Sequence, residues 1–220
     1  MTIKESLKRV AKKMPGPHLL LSWWLLFLLK RKQGIEIKKW KTGATGFPPH
    51  IIKQRTLRSY AKKHHLSILV ETGTYYGDMV AAMQRVFDRI YTIELSTDLY
   101  ERAKLRFAAH ESIEVINGDS GVELEKLLPR IDRPALFWLD GHYSGGETVR
   151  GERDTPIFEE LRHILGAPDR GHVIIIDDAR LFGKDPGYPA LEDLKKIVYS
   201  LRKNSEIHVA DDMIRITPQP

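Results

Sequence analysis

From Ser67 onward, short apolar runs alternate with segments whose apolar residues recur every three or four positions. "SILVE" (67–71), "IYTIEL" (90–95), "IEVIN" (113–117), "PALFWLD" (134–140) and "HVIIID" (172–177) read as strands. Between the first two, "DMVAAMQRVF" (78–87) puts Met79, Ala82, Met83 and Val86 on one helical face. "TDLYERAKLRFAAH" (97–110) reads as a helix opened by Thr97 and Asp98, "GVELEKLLPRI" (121–131) as a short one. Further helices are expected from about Thr155 to Leu165 and over "ALEDLKKIVYSLRK" (190–203), and "EIHVAD" with "MIRITP" reads as a closing hairpin. Helices between apolar strands imply right-handed βαβ units, hence an α/β fold. The sheet expected is doubly wound, seven-stranded and mostly parallel, ending in an antiparallel pair. Runs such as "VIII" suit strands buried on both faces.

The first 66 residues follow another pattern. They hold 16 Lys/Arg against 2 acids, a balance of +14, whereas residues 67–220 hold 19 against 27, a balance of −8. The chain therefore divides into a basic helical N-terminal arm (1–66) and an acidic enzyme-like domain (67–220), and the arm favours anionic partners. From Leu19 to Leu29 every residue but Ser22 is apolar, between Lys12–Lys13 and Lys30–Arg31–Lys32. Eleven helical residues reach about 16 Å at ~1.5 Å each, short of the roughly 30 Å of a bilayer core. A basic triplet where a cleavage site needs small residues argues against a secretory leader. Two readings stand: a helix packed on the domain or on a homodimer partner, or a peripheral membrane contact through residues 18–32. The chain has no cysteine, which excludes disulfides and thiolate metal sites and is compatible with a cytoplasmic location.

Open α/β sheets bind ligands beyond the carboxyl ends of their strands. Here those ends carry Glu71, Glu94, Asn117 to Asp119, Asp140 and Asp177–Asp178. The first turn, "ETGTYYGD", has Gly73 and Gly77 for tight turning and close approach of a ligand, with helix amides behind them. Its G-x-x-x-G spacing departs from the dinucleotide pattern, which weakens a nicotinamide reading. Glu94, 17 residues after Gly77, stands where an acid accepts from both hydroxyls of a ribose. Asp119 in "NGDS" either accepts from an adenine amino group or caps the next helix. Asp140, Asp177 and Asp178 should meet at one edge, because the strands before them should be neighbours. Uncompensated they would repel, and a hard dication such as Mg²⁺ takes oxygen ligands of this kind. The competing reading has Asp178 capping a loop and Asp177 pairing with Arg180.

"VETGTYYGD", "IYTIELS", "INGDSG", "FWLDGH" and "VIIIDDARLFG" occur in the order and spacing of class I S-adenosylmethionine-dependent methyltransferases, and residues 67–217 resemble that Rossmann-like family. The turn is similar to the E-x-G-x-x-x-G form of cation-dependent O-methyltransferases of the catechol and caffeoyl-CoA types; macrocin-type sugar O-methyltransferases are also similar. The resemblance implies a cofactor site at Glu71, Thr72, Gly73, Thr74, Tyr75, Gly77, Glu94, Leu95, Asp119, Ser120 and Asp140. It implies a metal at Asp140, Asp177 and Asp178 that binds an acceptor hydroxyl and favours its oxyanion. The acceptor would be a small-molecule or glycan hydroxyl. The catechol-type enzymes place a lysine three residues after the first aspartate, and this chain has Tyr143 there. His142 is the nearest proton acceptor, beside Asp140 as the second catalytic candidate, or else a partner of a carboxylate. The loop 141–156 has four glycines and the length of a lid, with Arg150 and Arg153 either facing an anionic acceptor or solvated. Nucleic-acid methylation is the alternative that the basic arm suggests. Against it, the chain lacks the [DN]-P-P-[YFW] motif of amino-methylating enzymes and the cysteine of cytosine-C5 chemistry. A non-catalytic membrane-associated binding module is the third reading.

Overall fold

In the computed structural model, which describes residues 17–141 and 156–219, the run Ile68–Thr72 forms β1 with every residue buried. Successive side chains of a strand point to opposite faces, so such a run needs cover on both sides. Both covers exist. Ile68 and Val70 pack with Phe137, Leu139, Leu124, Leu161 and Leu194. Leu69 packs on the opposite face with Trp138, Ile175, Met83, Phe107 and Leu57.

In chain order the elements are α1 (Pro17–Lys41), α2 (His50–Lys63), β1, α3 (Asp78–Met83), β2 (Arg89–Glu94), α4 (Thr97–Phe107), β3 (Ile113–Asn117) and α5 (Ser120–Leu127). Then follow β4 (Ala135–Leu139), α6 (Ile157–Gly166), β5 (Val173–Ile176), α7 (Leu191–Leu201), β6 (Ser205–Ala210) and β7 (Met213–Pro218). The sheet order is β3-β2-β1-β4-β5-β7-β6. β1 pairs in parallel with β2 and β4, and β4 with β5. β7 enters antiparallel between β5 and β6. The sheet is therefore the seven-stranded, doubly wound, mostly parallel one with a terminal hairpin that the hydrophobic pattern implies.

Several ends shift. The helix expected over 78–87 stops at Met83; the chain turns there, still buries Phe87, and enters β2 at Arg89. The hairpin turns at Asp211 and Asp212, both with positive φ (52° and 61°), as a type I′ hairpin loop requires.

The domain boundary also moves. The chain divides into units at residues 1–51 and 52–220, not at 66/67. The physical reason is α2. Its Leu57 and Ala61, one turn apart, are buried in the core with Leu69, Met83 and Trp138. Truncating a fully buried leucine costs about 2–5 kcal/mol, so this segment is part of the folded domain and not an appendage. In the other unit, α1 is one continuous helix of 25 residues, and no described helix is long and apolar enough to cross a membrane. The lipid contact considered for residues 18–32 falls mostly on side chains outside the described set.

Candidate functional site

The parallel register brings the acids together. Leu139 pairs with Ile176, and the ladder runs one residue further: the Asp177 amide donates to the Leu139 carbonyl (3.0 Å) and the Asp140 amide to the Thr72 carbonyl (3.1 Å). Asp140 and Asp177 therefore stand side by side where β4 and β5 end. Asp178 then adopts a left-handed conformation (φ 56°) that breaks the strand, one which Asp tolerates better than most side chains. One carboxylate oxygen from each of Asp140, Asp177 and Asp178 lies within 4.8 Å of the others. Asp177 and Asp178 are buried and Asp140 is partly exposed.

Two cations meet this cluster, Arg180 and Lys53, the second of them without any assignment from the sequence. Lys53 of α2 donates to Asp177 Oδ2. Arg180 donates to Asp178 Oδ1 (2.6 Å) and to Asp212 Oδ2, and its backbone amide donates to Asp212 Oδ1 (2.7 Å). The sequence alternative pairing Arg180 with Asp177 is thus corrected: the turn at Asp178 gives Arg180 to Asp178, and Lys53 takes Asp177. Asp140, Asp177, Asp178 and Asp212 thus gather around Lys53 and Arg180. Accordingly burial, and then repulsion from Asp177, holds the Asp140 pKa well above the usual carboxylate range. Burial also raises Asp177, against the attraction of Lys53. For Lys53 burial acts downward, but Asp177, with Asp140 and Asp178 behind it, outweighs it and raises the pKa.

The other half of the edge is built differently. Glu94 ends β2 buried, and its two oxygens accept from backbone amides, Oε2 from Tyr75 (2.8 Å) and Oε1 from Ser96 (2.9 Å). Burial nonetheless raises its pKa against those bonds. Glu71 accepts from the Thr92 hydroxyl (2.6 Å), which lies 2.6 Å from the Thr74 hydroxyl. Burial pushes Glu71 up to about 8. Asp119 caps α5, with Oδ1 accepting from the Gly121 amide at 2.8 Å, as the capping alternative expected. Ser120 and Thr72 are buried, Leu95 is half-buried, and Tyr75 is exposed with its ring centroid 4.0 Å from that of Tyr76.

The turn glycines serve the protein's own packing. A Cβ on Gly73 (φ 83°) would lie 2.6 Å from the Asp140 carbonyl oxygen, and one on Gly77 (φ 76°) 2.7 Å from the Phe107 ring. Their missing side chains thus let β1's turn sit against Asp140 and against α4. The sequence also gave no role to Glu160 of α6, which is fully buried. Neither of its oxygens has a hydrogen bond of good geometry. Burial pushes its pKa to about 7, opposed by the neighbouring Ser120 and Thr72 hydroxyls. His142, Tyr143, Arg150 and Arg153 lie outside the described residues.

Solved structures were compared with this architecture. The O-methyltransferase TomG from Streptomyces achromogenes, involved in tomaymycin synthesis and solved with SAM, is 17% identical at a TM-score of 0.54, over 86% of this chain and 89% of its own. An O-methyltransferase from Bacillus cereus in complex with SAH is 14% identical at 0.56, over 86% and 91%. A putative caffeoyl-CoA O-methyltransferase from Staphylococcus aureus is 12% identical at 0.55, over 90% and 99%. This is the class I methyltransferase fold. At these identities the likeness is one of fold alone. No sequence-family model and no curated protein matches the chain.

The donors suit the two groups this fold implies. Ligands of an ion held at 2.0–2.6 Å lie roughly 3–5 Å apart, and the three aspartate oxygens lie within 4.8 Å of one another. Asp177 Oδ1 is moreover buried without a hydrogen-bond partner, which is costly in a closed protein site and is relieved by a ligand. At the end of β2 the Glu94 carboxylate is held by backbone amides, those of Tyr75 and Ser96 among them, an acceptor of the kind that ribose hydroxyls donate to.

Proposed function

We propose that this chain is an S-adenosylmethionine-dependent methyltransferase that methylates a hydroxyl of a small molecule or glycan with the help of Mg²⁺ or a similar dication. The observation that carries the reading is the convergence of Asp140, Asp177 and Asp178 at the carboxyl ends of β4 and β5. It occurs in a fold shared with O-methyltransferases solved with SAM or SAH.

In this reading Glu94 accepts from the ribose hydroxyls, Asp119 Oδ2 from the adenine amino group, and the turn Thr72–Gly77 with Leu95 and Ser120 shapes the cofactor's bed. Asp140, Asp177 and Asp178 hold the dication, which when bound supplies charge to favour the acceptor's oxyanion and a fixed orientation for it. His142, two residues after Asp140 in the sequence, takes the acceptor's proton. Tyr75 and Tyr76, exposed together beside Glu94, offer aromatic faces to an acceptor ring.

The test uses the full chain. Calorimetry with S-adenosylhomocysteine should give saturable binding, and labelled S-adenosylmethionine with a panel of phenolic and sugar acceptors should give methyl transfer that EDTA abolishes and Mg²⁺ restores. Absence of any binding heat would end the methyltransferase reading. Transfer that survives EDTA would end its metal-assisted half.

A further inference from the structure

α2 presents Lys53, Leu57 and Ala61 at intervals of four, which align along one helical face. Leu57 and Ala61 are fixed in the core on the Leu69–Trp138 side of the sheet. Lys53 is one turn earlier on the same face and reaches past the end of β5 to Asp177 Oδ2. The Lys53 side chain is 16% exposed and that of Asp177 1%. Its ammonium is within electrostatic reach of Asp140 and Asp178 as well as Asp177, the same three carboxylates that would hold an ion.

We infer that Lys53 is a tethered competitor for the dication: its ammonium occupies the aspartate cluster when no ion is bound and is expelled when one enters. The inference rests on the metal-assisted reading above. Its physical basis is that both cations seek the same oxygens. One ammonium is a single positive charge whose bond to Asp177 goes to one oxygen, and Asp177 Oδ1 stays without a hydrogen-bond partner. A dication collects several oxygens at once and carries twice the charge. Two cations a few ångströms apart in a buried site repel strongly, so both do not settle among the same three carboxylates. The lysine would keep the acids together in the ion-free protein, and ion affinity would be lowered by the work of displacing it.

Lys53→Met keeps the aliphatic stem and removes the charge. By calorimetry this variant should bind Mn²⁺ at least about tenfold more tightly than the wild type, because the binding-competent state no longer competes with an occupied one. An equal or weaker affinity in the variant would overturn the inference; a weaker one would mean that Lys53 positions Asp177 for the ion. If Lys53→Met does not fold, wild-type Lys53 decides the matter. Its acetylation by acetic anhydride, followed by mass spectrometry, should rise several-fold with saturating Mn²⁺, and an unchanged or lower reactivity overturns the inference. S-adenosylhomocysteine binding measured on the same samples separates the outcomes. Binding of that ligand without any Mn²⁺ binding in either protein removes this inference and the metal half, and leaves the methyltransferase reading intact.

Discussion

The carboxyl edge of the sheet holds two groups of acids solved by opposite means. On the β1–β3 side, Glu94, Glu71 and Asp119 are satisfied by neutral donors: the amides of Tyr75, Ser96 and Gly121 and the hydroxyl of Thr92. On the β4–β5 side, Asp177 and Asp178 are met by the cations Lys53 and Arg180, and one Asp177 oxygen has no hydrogen bond. Neutral donors fix a carboxylate's position while leaving acceptor capacity, which suits hydroxyl recognition. Cations answer charge with charge, as is needed where several carboxylates share one site. In the proposed reading, acids at equivalent strand ends are thus prepared for different ligands.

The sharpest way to break this contrast is to remove one acid from each side. Asp178→Ala should lower methyl transfer by about 10³-fold or more, the scale on which removing a charge-stabilising group acts. S-adenosylhomocysteine binding should change by less than about twofold. The fold should persist, since Arg180 retains Asp212. Glu94→Ala should do the reverse to binding, weakening S-adenosylhomocysteine roughly 10- to 100-fold, the worth of one charged hydrogen bond or slightly more. Glu94→Gln should lose less, because an amide oxygen still accepts. If both alanine variants impaired binding equally, the edge would be one site and not two.

The joint between the halves is Gly73, on β1's turn against the Asp140 backbone. Gly73→Ala would place a methyl group 2.6 Å from a carbonyl oxygen at a φ of 83°. Backbone strain of this kind costs about 1–3 kcal/mol before any clash. Gly77→Ala carries similar strain but meets the Phe107 ring, a side chain that can turn aside. Chemical denaturation should therefore rank Gly73→Ala as the more destabilising. The reverse order would mean that β1's turn does not depend on its contact with Asp140.

Legibility followed chain locality. The alternation of apolar runs and amphipathic segments contains the sheet, and since Asp140 and Asp177 directly follow neighbouring parallel strands, their meeting is a consequence of topology. Lys53 was hidden because it lies 124 residues before its partner, in a basic segment that reads as solvated. The Lys53–Leu57–Ala61 spacing was a usable signal: a lysine in register with buried apolar positions lies on the packed face. Glu160 carries the same signal, in register with Ile157, Leu161 and Ile164, all buried with it, although "FEEL" reads as surface acid. Arg180 was assigned to the wrong aspartate because the left-handed turn at Asp178 cannot be read from a strand-end pattern.

The smallest predicted effect concerns Glu71, the acid deepest on the neutral side. Its ordinary carboxyl pKa near 4.5 is raised to about 8 in the folded chain, so the folded state retains a proton that the unfolded state releases. Stability then declines as pH rises from about 4.5 and levels off above about 8, at no more than roughly 1.4 kcal/mol per pH unit from this group. Glu160, raised to about 7, acts in the same direction over a window that closes earlier. Glu71→Gln keeps an acceptor for the Thr92 hydroxyl and removes only the titration. Measured by urea denaturation in the presence of EDTA, the stability of Glu71→Gln minus that of the wild type should grow with pH and flatten beyond about 8. Glu160 titrates in both proteins and so largely cancels in the difference, which leaves the growth to Glu71. Curves that run parallel as pH rises to about 8 would show Glu71 ionised throughout. A charge would then lie buried beside the Thr92 hydroxyl, and the raised pKa assigned to Glu71 would be wrong.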